Sequence, residues 1–315
     1  MNADSVDAVV VGAGPAGLSA ALILGRAVRR VLVCDAGKPR NRAAREMHAY
    51  LTRDRVAPMD FLRLARAELE HYPSVTIWDA EVRDAKHRGV GFRLTLVDGR
   101  KVDACKLLLA TGLVDELPPI PGIDTLYGKS VFHCPYCDGW EARGAAVAVY
   151  GKGKRALEMA RALTAWTADI VVCPGGPLKL SAEEKRAFAR NGIRTDEEPI
   201  ARLAGSGGQL QAVVFASGRR LARQALFFDT ASHQQTDLAR RLGCSFTRDG
   251  GVRCGRYEST DVPGVYVAGN TIKDVHLVVV AAAEGAKAAL GINKALTREQ
   301  FTARATGRLQ VLHPA

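Results

Sequence analysis

Cys134 and Cys137 stand two residues apart in His133-Cys134-Pro135-Tyr136-Cys137-Asp138-Gly139-Trp140-Glu141. Thiols at that spacing can close a small disulfide loop and open it again, a two-electron exchange. Where such a pair starts a helix, the first-turn N–H groups and the helix dipole stabilise a thiolate. Asp138 follows the second cysteine directly, where a carboxylate can give or take the proton that thiol chemistry needs. A bare pair also suits buried structural thiols. Half of a zinc site fits less well, because no second Cys-x-x-Cys or Cys-x-x-His follows at ligand spacing, so no metal is expected. Cys34, Cys105, Cys173, Cys244 and Cys254 form no paired framework and are expected as free thiols.

The elements around the pair narrow these readings. Asp7-Ala8-Val9-Val10-Val11 is an apolar run of buried parallel-strand type. It enters Gly12-Ala13-Gly14-Pro15-Ala16-Gly17, and an Ala/Leu-rich helix and a second strand ending at Asp35 follow. In that setting Gly12 makes the tight turn, Gly14 lets the backbone approach a pyrophosphate, and Gly17 lets helix pack on strand. The helix N-terminus, opened by Pro15 and Ala16, favours phosphate, and Asp35 can accept hydrogen bonds from ribose hydroxyls. Strand, glycines, helix, strand and acid together predict a dinucleotide site. Further along, a helix is expected over about Pro58 to His71 and strands at Val75–Trp78 and Gly91–Leu96. A strand from Cys105 should close on Ala110-Thr111-Gly112, before a Pro-rich linker at Leu117–Gly122.

Ala145 to Tyr150 repeats the opening move and enters Gly151-Lys152-Gly153-Lys154-Arg155-Ala156. The chain therefore reads as two nucleotide folds with the cysteine pair at the start of the second. Cys-Pro-Tyr-Cys is also the glutaredoxin tetrapeptide, but the single small glutaredoxin fold has no such units. The second fold is eroded. The step from Gly12 to Asp35, taken from Gly151, lands on Pro174, and the neutral Gly175-Gly176-Pro177-Leu178 follows. Neither an acid for an NAD ribose nor an arginine cluster for an NADP phosphate is present there. Lys152, Lys154 and Arg155 read equally as solvated cations or as an anion site. Beyond about Gly264, a strand closes on Gly269-Asn270, and an Ala-rich helix starts near Val278.

Apolar content of 47% and charged content of 24% are those of a soluble globular protein. The net charge of +11 comes from Lys and Arg spread along the chain, without a basic run interleaved with aromatics, so nucleic-acid binding is not expected. With no apolar stretch of spanning length and no cleavable leader pattern, a cytoplasmic protein without membrane association is expected.

Taken in order, Gly12 to Gly17, Ala110-Thr111-Gly112, Cys134 to Asp138, the second Gly-x-Gly, and Val262-Pro263-Gly264 to Asn270 resemble the low-molecular-weight thioredoxin reductase group of FAD-dependent disulfide oxidoreductases. The resemblance covers nearly the whole chain. It implies an α/β fold of two Rossmann-like dinucleotide-binding domains: a discontinuous FAD domain at 1–114 and 245–315, and a second domain at 115–244 carrying the cysteines. It implies Cys137 facing the flavin, Cys134 exchanging with substrate, and Asp138 as proton donor. It also implies a homodimer, domain rotation, and a thioredoxin-like or small-molecule dithiol or disulfide substrate. The departures matter too. The family's nucleotide-phosphate arginines are missing, which argues against NADPH and leaves the second site for another dinucleotide such as a second FAD, or for none. An acidic carrier such as ferredoxin is then the alternative donor. Gly269-Asn270 replaces the usual Gly-Asp at the flavin ribitol, and His276-Leu277-Val278 replaces Arg-Gln-Ala before the last helix. Pro-Tyr replaces Ala-Thr between the cysteines. These changes also resemble relatives that oxidise small-molecule dithiols with oxygen.

Overall fold

The computed structural model describes residues 5–306. The chain divides into two compact units, residues 1–40, 59–114 and 233–315, and residues 41–58 and 115–232. The segments Leu113–Asp115 and Ser232–Gln234, where the chain passes between them, pair as a two-stranded ladder.

In the first unit, the strand Ser5–Val11 lies between parallel neighbours Val31–Cys34 and Lys101–Leu109. Its apolar run is continuous because both faces are covered. Ala8 and Val10 enter one core cluster, while Val9 and Val11 enter another. The long strand Lys101–Leu109 changes partner along its other edge. Its first half pairs antiparallel with Gly91–Leu96, and Leu107–Leu109 pair parallel with Val265–Val267. That brings Ala110-Thr111-Gly112 and Gly269-Asn270 out at the same end of the sheet as Gly12. The last helix, Val278–Ala305, packs on the first, Pro15–Arg26. Gly285 is required there: a Cβ at that position would lie 2.0 Å from the Ala16 carbonyl oxygen. This helix starts at Val278 as expected and runs for 28 residues.

The second unit repeats the plan with a parallel sheet ordered Arg194–Thr195, Ile170–Cys173, Val147–Gly151, Ala225–Asp229, Val131–Phe132. Val147 and Val149 feed one cluster and Ala148 the other, as in the first unit. An antiparallel meander, Ile200–Ser206, Gln209–Phe215 and Arg220–Ala222, is added to it. Among the described residues no helix is long and apolar enough to cross a membrane.

The units differ from the expected spans in two places. The return crossing lies at 232–233 rather than 244–245, because Leu238, Ala239 and Leu242 are buried in a core cluster of the first unit. Residues 41–58, expected with the first unit, pack on the second. Gly128, in the left-handed region, lies close against the Ala43 carbonyl, and Arg45 Nη2 donates to the Gly207 carbonyl at 3.3 Å.

Candidate active site

Within the second unit, Cys134 and Cys137 form a disulfide, with Cα atoms 5.2 Å apart. Pro135–Asp138 is a single helical turn with Cys134 as its N-cap, whose Sγ accepts the Cys137 N–H at 3.1 Å. Pro at the first helical position has no N–H to leave unsatisfied and its φ is preset for the turn. Gly139 follows because nothing larger fits: an added Cβ would lie 2.4 Å from the Pro135 carbonyl oxygen and 2.8 Å from the Trp166 ring. Trp166 also meets Tyr136 edge-on, with ring centroids 5.8 Å apart. Tyr136 and Trp140 are 74% and 64% exposed, so two large rings flank the disulfide on the surface. His133 Nδ1 lies 3.3 Å from the Tyr127 hydroxyl.

The Asp138 carboxyl is pushed up to about 7, first by burial and then by the charge of Glu141. A carboxyl there is poised to hold or release a proton near neutrality. The remaining thiols are in the opposite condition. Burial pushes Cys34 and Cys173 up to about 12 and raises Cys105, Cys244 and Cys254 as well. Thiols held protonated are inert. Cys134 and Cys137 are the paired cysteines, and the other five are free thiols.

In the first unit the glycine turn has the shape a pyrophosphate needs. Gly12 has φ +104°, and a Cβ at Gly17 would lie 1.8 Å from the Gly12 carbonyl oxygen. Gly14 is different, because a Cβ there meets no atom within 4 Å. The space above it is open. The helix beginning at Pro15 has no side-chain cap, which leaves its first N–H groups for a ligand. Asp35 Oδ1 accepts the Ala13 N–H at 3.3 Å and Oδ2 pairs with Arg66, which leaves lone pairs for ribose hydroxyls. Beside it a cleft of about 580 Å³ is lined by Asp35, Leu62, Arg66 and Ala80. At the same sheet end the Gly112 N–H donates to Thr271 Oγ1 at 3.0 Å and the Gly269 N–H to Glu284 Oε2 at 2.8 Å. Leu277 caps the last helix without a side-chain hydrogen bond, so the helix that follows His276 and Leu277 and begins at Val278 again starts without a side-chain cap. An open pyrophosphate turn, a ribose acid, an adenosine-sized cleft and a second open helix start fit FAD.

Residues 6–285 match the pyridine nucleotide-disulphide oxidoreductase family. The chain belongs to it. It is a thioredoxin reductase-like, FAD-dependent disulfide oxidoreductase with the two-domain Rossmann-like fold of that class. It is 33% identical to thioredoxin reductase tcpT of Claviceps purpurea (strain 20.1) over 276 residues, 84% of this chain and 86% of that one. Among solved structures, TrxB from Bacillus anthracis superposes with a TM-score of 0.89 at 33% identity, covering 94% of this chain and 99% of its own. HlmI superposes with a TM-score of 0.93 at 34% identity, covering 98% and 97%.

The second glycine turn of this oxidoreductase is built differently. The step from Gly151 to Ala156 equals that from Gly12 to Gly17, with Gly153, in the left-handed region at φ +59°, where Gly14 stands, and Lys152, Lys154 and Arg155 where Ala13, Pro15 and Ala16 stand. Lys152 and Lys154 are exposed, and Arg155 Nη1 lies 4.0 Å from Asp229. Beyond Cys173 the chain makes a Gly175-Gly176 turn over the Tyr150 ring. Sequence reading missed four polar groups at these sites. Arg66 and Thr271 carry no local signal. Glu284 has one, as the charge that interrupts the apolar helix directly after Val278–Ala283. His48, in an Arg-rich loop with no periodic pattern, has its Nε2 3.6 Å from Glu141 Oε1.

Proposed function

We propose that the protein passes electrons between bound FAD and a substrate dithiol or disulfide through the Cys134/Cys137 pair, with an electron partner other than NADPH. The carrying observation is the Cys134–Cys137 disulfide, half-buried on a helical turn that ends at Asp138, whose carboxyl burial pushes up to about 7. Gly12, Gly14, Pro15, Ala16, Gly17 and Asp35 would hold the dinucleotide end of FAD. Ala110, Thr111, Gly112, Gly269, Asn270, His276, Leu277 and Val278 would hold the ring end. FAD, when bound, supplies a two-electron donor and acceptor.

In this reading Cys134 exchanges with substrate, Cys137 faces the flavin, and Asp138 exchanges the proton. Opening the disulfide takes two electrons and leaves two thiolates, which two protons convert to thiols. Closing it returns both. Tyr136 and Trp140 give the substrate an aromatic seat beside the bond, and relatives named as thioredoxin reductases support a thioredoxin-like or small dithiol partner. The neutral residues after Cys173, without an arginine cluster, support a donor other than NADPH. The net charge of +11 suits an acidic carrier protein.

Cys134→Ser and Cys137→Ser should each abolish turnover with a disulfide or dithiol substrate while FAD stays bound. A lone thiol can form a mixed disulfide but cannot resolve it. Either variant turning over at the parent rate would remove the pair from the mechanism.

A further inference from the structure

The acid that follows the second strand of the first unit stands beside another. The strands Val31–Cys34 and Val75–Trp78 run parallel with Cys34 opposite Trp78, and the Asp35 N–H donates to the Trp78 carbonyl at 2.9 Å. That register brings Asp35 and Asp79 together at the sheet end. Two carboxylates so placed repel each other unless a cation stands between them. Arg66, from the helix Pro58–Leu69, supplies it: Nη2 donates to Asp35 Oδ2, and Nη1 to Asp79 Oδ1 at 2.9 Å. A guanidinium fork can span two acids in a fixed geometry, as an ammonium group cannot. The Asp35 side chain is 18% exposed and that of Asp79 81%, so the contact to Asp35 is the sheltered one, where charge is felt most strongly. The other cations of this region are engaged elsewhere. Lys38 lies 2.8 Å from Glu81, Arg63 3.4 Å from Asp60, and Arg100 2.7 Å from Asp98.

We propose that Arg66 is a positioning residue for the adenosine end of FAD: it fixes Asp35 in the orientation that accepts the ribose 2′-hydroxyl, and it offsets the charge of that acid beside the pyrophosphate turn. The assignment rests on reading Gly12 to Asp35 as the dinucleotide site. Both oxygens of Asp35 are held from the protein side, Oδ1 by the Ala13 N–H at 3.3 Å and Oδ2 by Arg66, so the plane of the carboxylate is set before any ligand arrives. Each oxygen keeps a lone pair for a hydroxyl. Ala13 lies inside the glycine turn, so Asp35 stands one hydrogen bond from the N–H groups that would receive a pyrophosphate. An uncompensated carboxylate there would repel that anion. Arg66 also lines the cleft beside Asp35, together with Leu62 of the same helix. Asp79, exposed and on the far side of the fork, acts only by steadying Arg66.

The test is the rate at which diluted holoenzyme releases its flavin, read from the rise in flavin fluorescence, with the enzyme loaded either with FAD or with the 2′-deoxyadenosine analogue of FAD. From the parent, the analogue should leave about ten- to a hundredfold faster than FAD, because one charge-assisted hydrogen bond is missing. Arg66→Met should release FAD faster by at least that factor, and it should release the analogue no faster than FAD, because the hydroxyl no longer meets an oriented acid. Arg66→Lys keeps the charge without the fork. It should release FAD at an intermediate rate and discriminate less than the parent, which decides the question if the Met variant holds no flavin. Asp79→Asn should speed release by less than about threefold, the scale of an exposed ion pair. An arginine that merely anchored its helix would, when replaced, speed the release of both flavins by one factor and leave the discrimination whole. Parent-like discrimination in either Arg66 variant, or a parent release rate in Arg66→Met, would therefore overturn the proposal. Equal release of the two flavins from the parent itself would instead overturn Asp35 as the acceptor of the 2′-hydroxyl.

Discussion

The two glycine turns began as the same motif and now differ in how closely helix and strand approach. In the first, Gly17 has no room for a methyl group, because a Cβ there would meet the Gly12 carbonyl oxygen at 1.8 Å. In the second, Ala156 occupies the matching position, fully buried, with its Cβ 3.4 Å from where one on Gly151 would lie. In one respect the turns are alike, because a Cβ at Gly14 or at Gly153 meets nothing within 4 Å. A phosphate site needs a row of free N–H groups with open space in front of them. The first turn keeps both. The second keeps the fold with Ala156 where the first requires glycine, and it carries Lys152, Lys154 and Arg155 where the first has Ala13, Pro15 and Ala16.

The largest test of this contrast uses two glycines of the first turn. Gly14→Val projects into open space, so the chain should fold with near-parent melting temperature and lose its FAD. Gly17→Ala drives a methyl into backbone and should lower stability by several kcal/mol, the scale of severe overpacking or backbone strain. Flavin per folded chain and thermal melting, measured on both, separate ligand loss from fold loss. Full flavin content in Gly14→Val would place the cofactor elsewhere.

The second test is the electron donor. One charge-assisted contact contributes around 1.5–3 kcal/mol, so two missing contacts weaken NADPH by on the order of a hundredfold or more. Stopped-flow reduction by NADPH should be slow and unsaturated at concentrations where a reduced acidic carrier works quickly. FAD released per chain on denaturation should be close to one if the second turn binds no second flavin. Saturable, fast reduction at micromolar NADPH would erase the functional difference between the turns.

Much of this was legible in the sequence because it is local. Gly12 to Asp35, the repeat at Gly151 and the Cys134–Asp138 turn each occupy one short stretch with fixed spacing. What escaped was non-local. Thr271 lies 159 residues from the Gly112 N–H it receives, and His48 lies 93 residues before Glu141. No periodicity encodes such contacts, because they follow from the paths of loops. The placement of residues 41–58 escaped for the same reason: it depends on Gly128 admitting the Ala43 carbonyl, a contact with no trace in either segment alone.

The smallest expected effect concerns Glu284, which fastens the Gly269 turn in the first unit. Its carboxyl is buried, and burial pushes it up to about 7, although the Gly269 N–H draws it the other way. The charges of Glu258 and Asp274 add to the upward push, and Lys287 is itself paired with Glu258. The folded state therefore favours the protonated form more than the unfolded chain does. Stability from this group is fully present below the unfolded value of 4.5, declines as pH rises, and is lost above about 7. Glu284→Gln keeps an acceptor for the Gly269 N–H and removes the titration. Below about pH 5 it should melt at the parent temperature. Above pH 7 it should be more stable than the parent by about 1–2 kcal/mol, a few degrees in melting temperature for a chain of this size. Because Glu284 fastens the Gly269 turn, the pH-dependent gain should appear together with tighter flavin retention at alkaline pH. A uniform loss of stability across the range would instead show that the ionised carboxylate is needed to hold the turn.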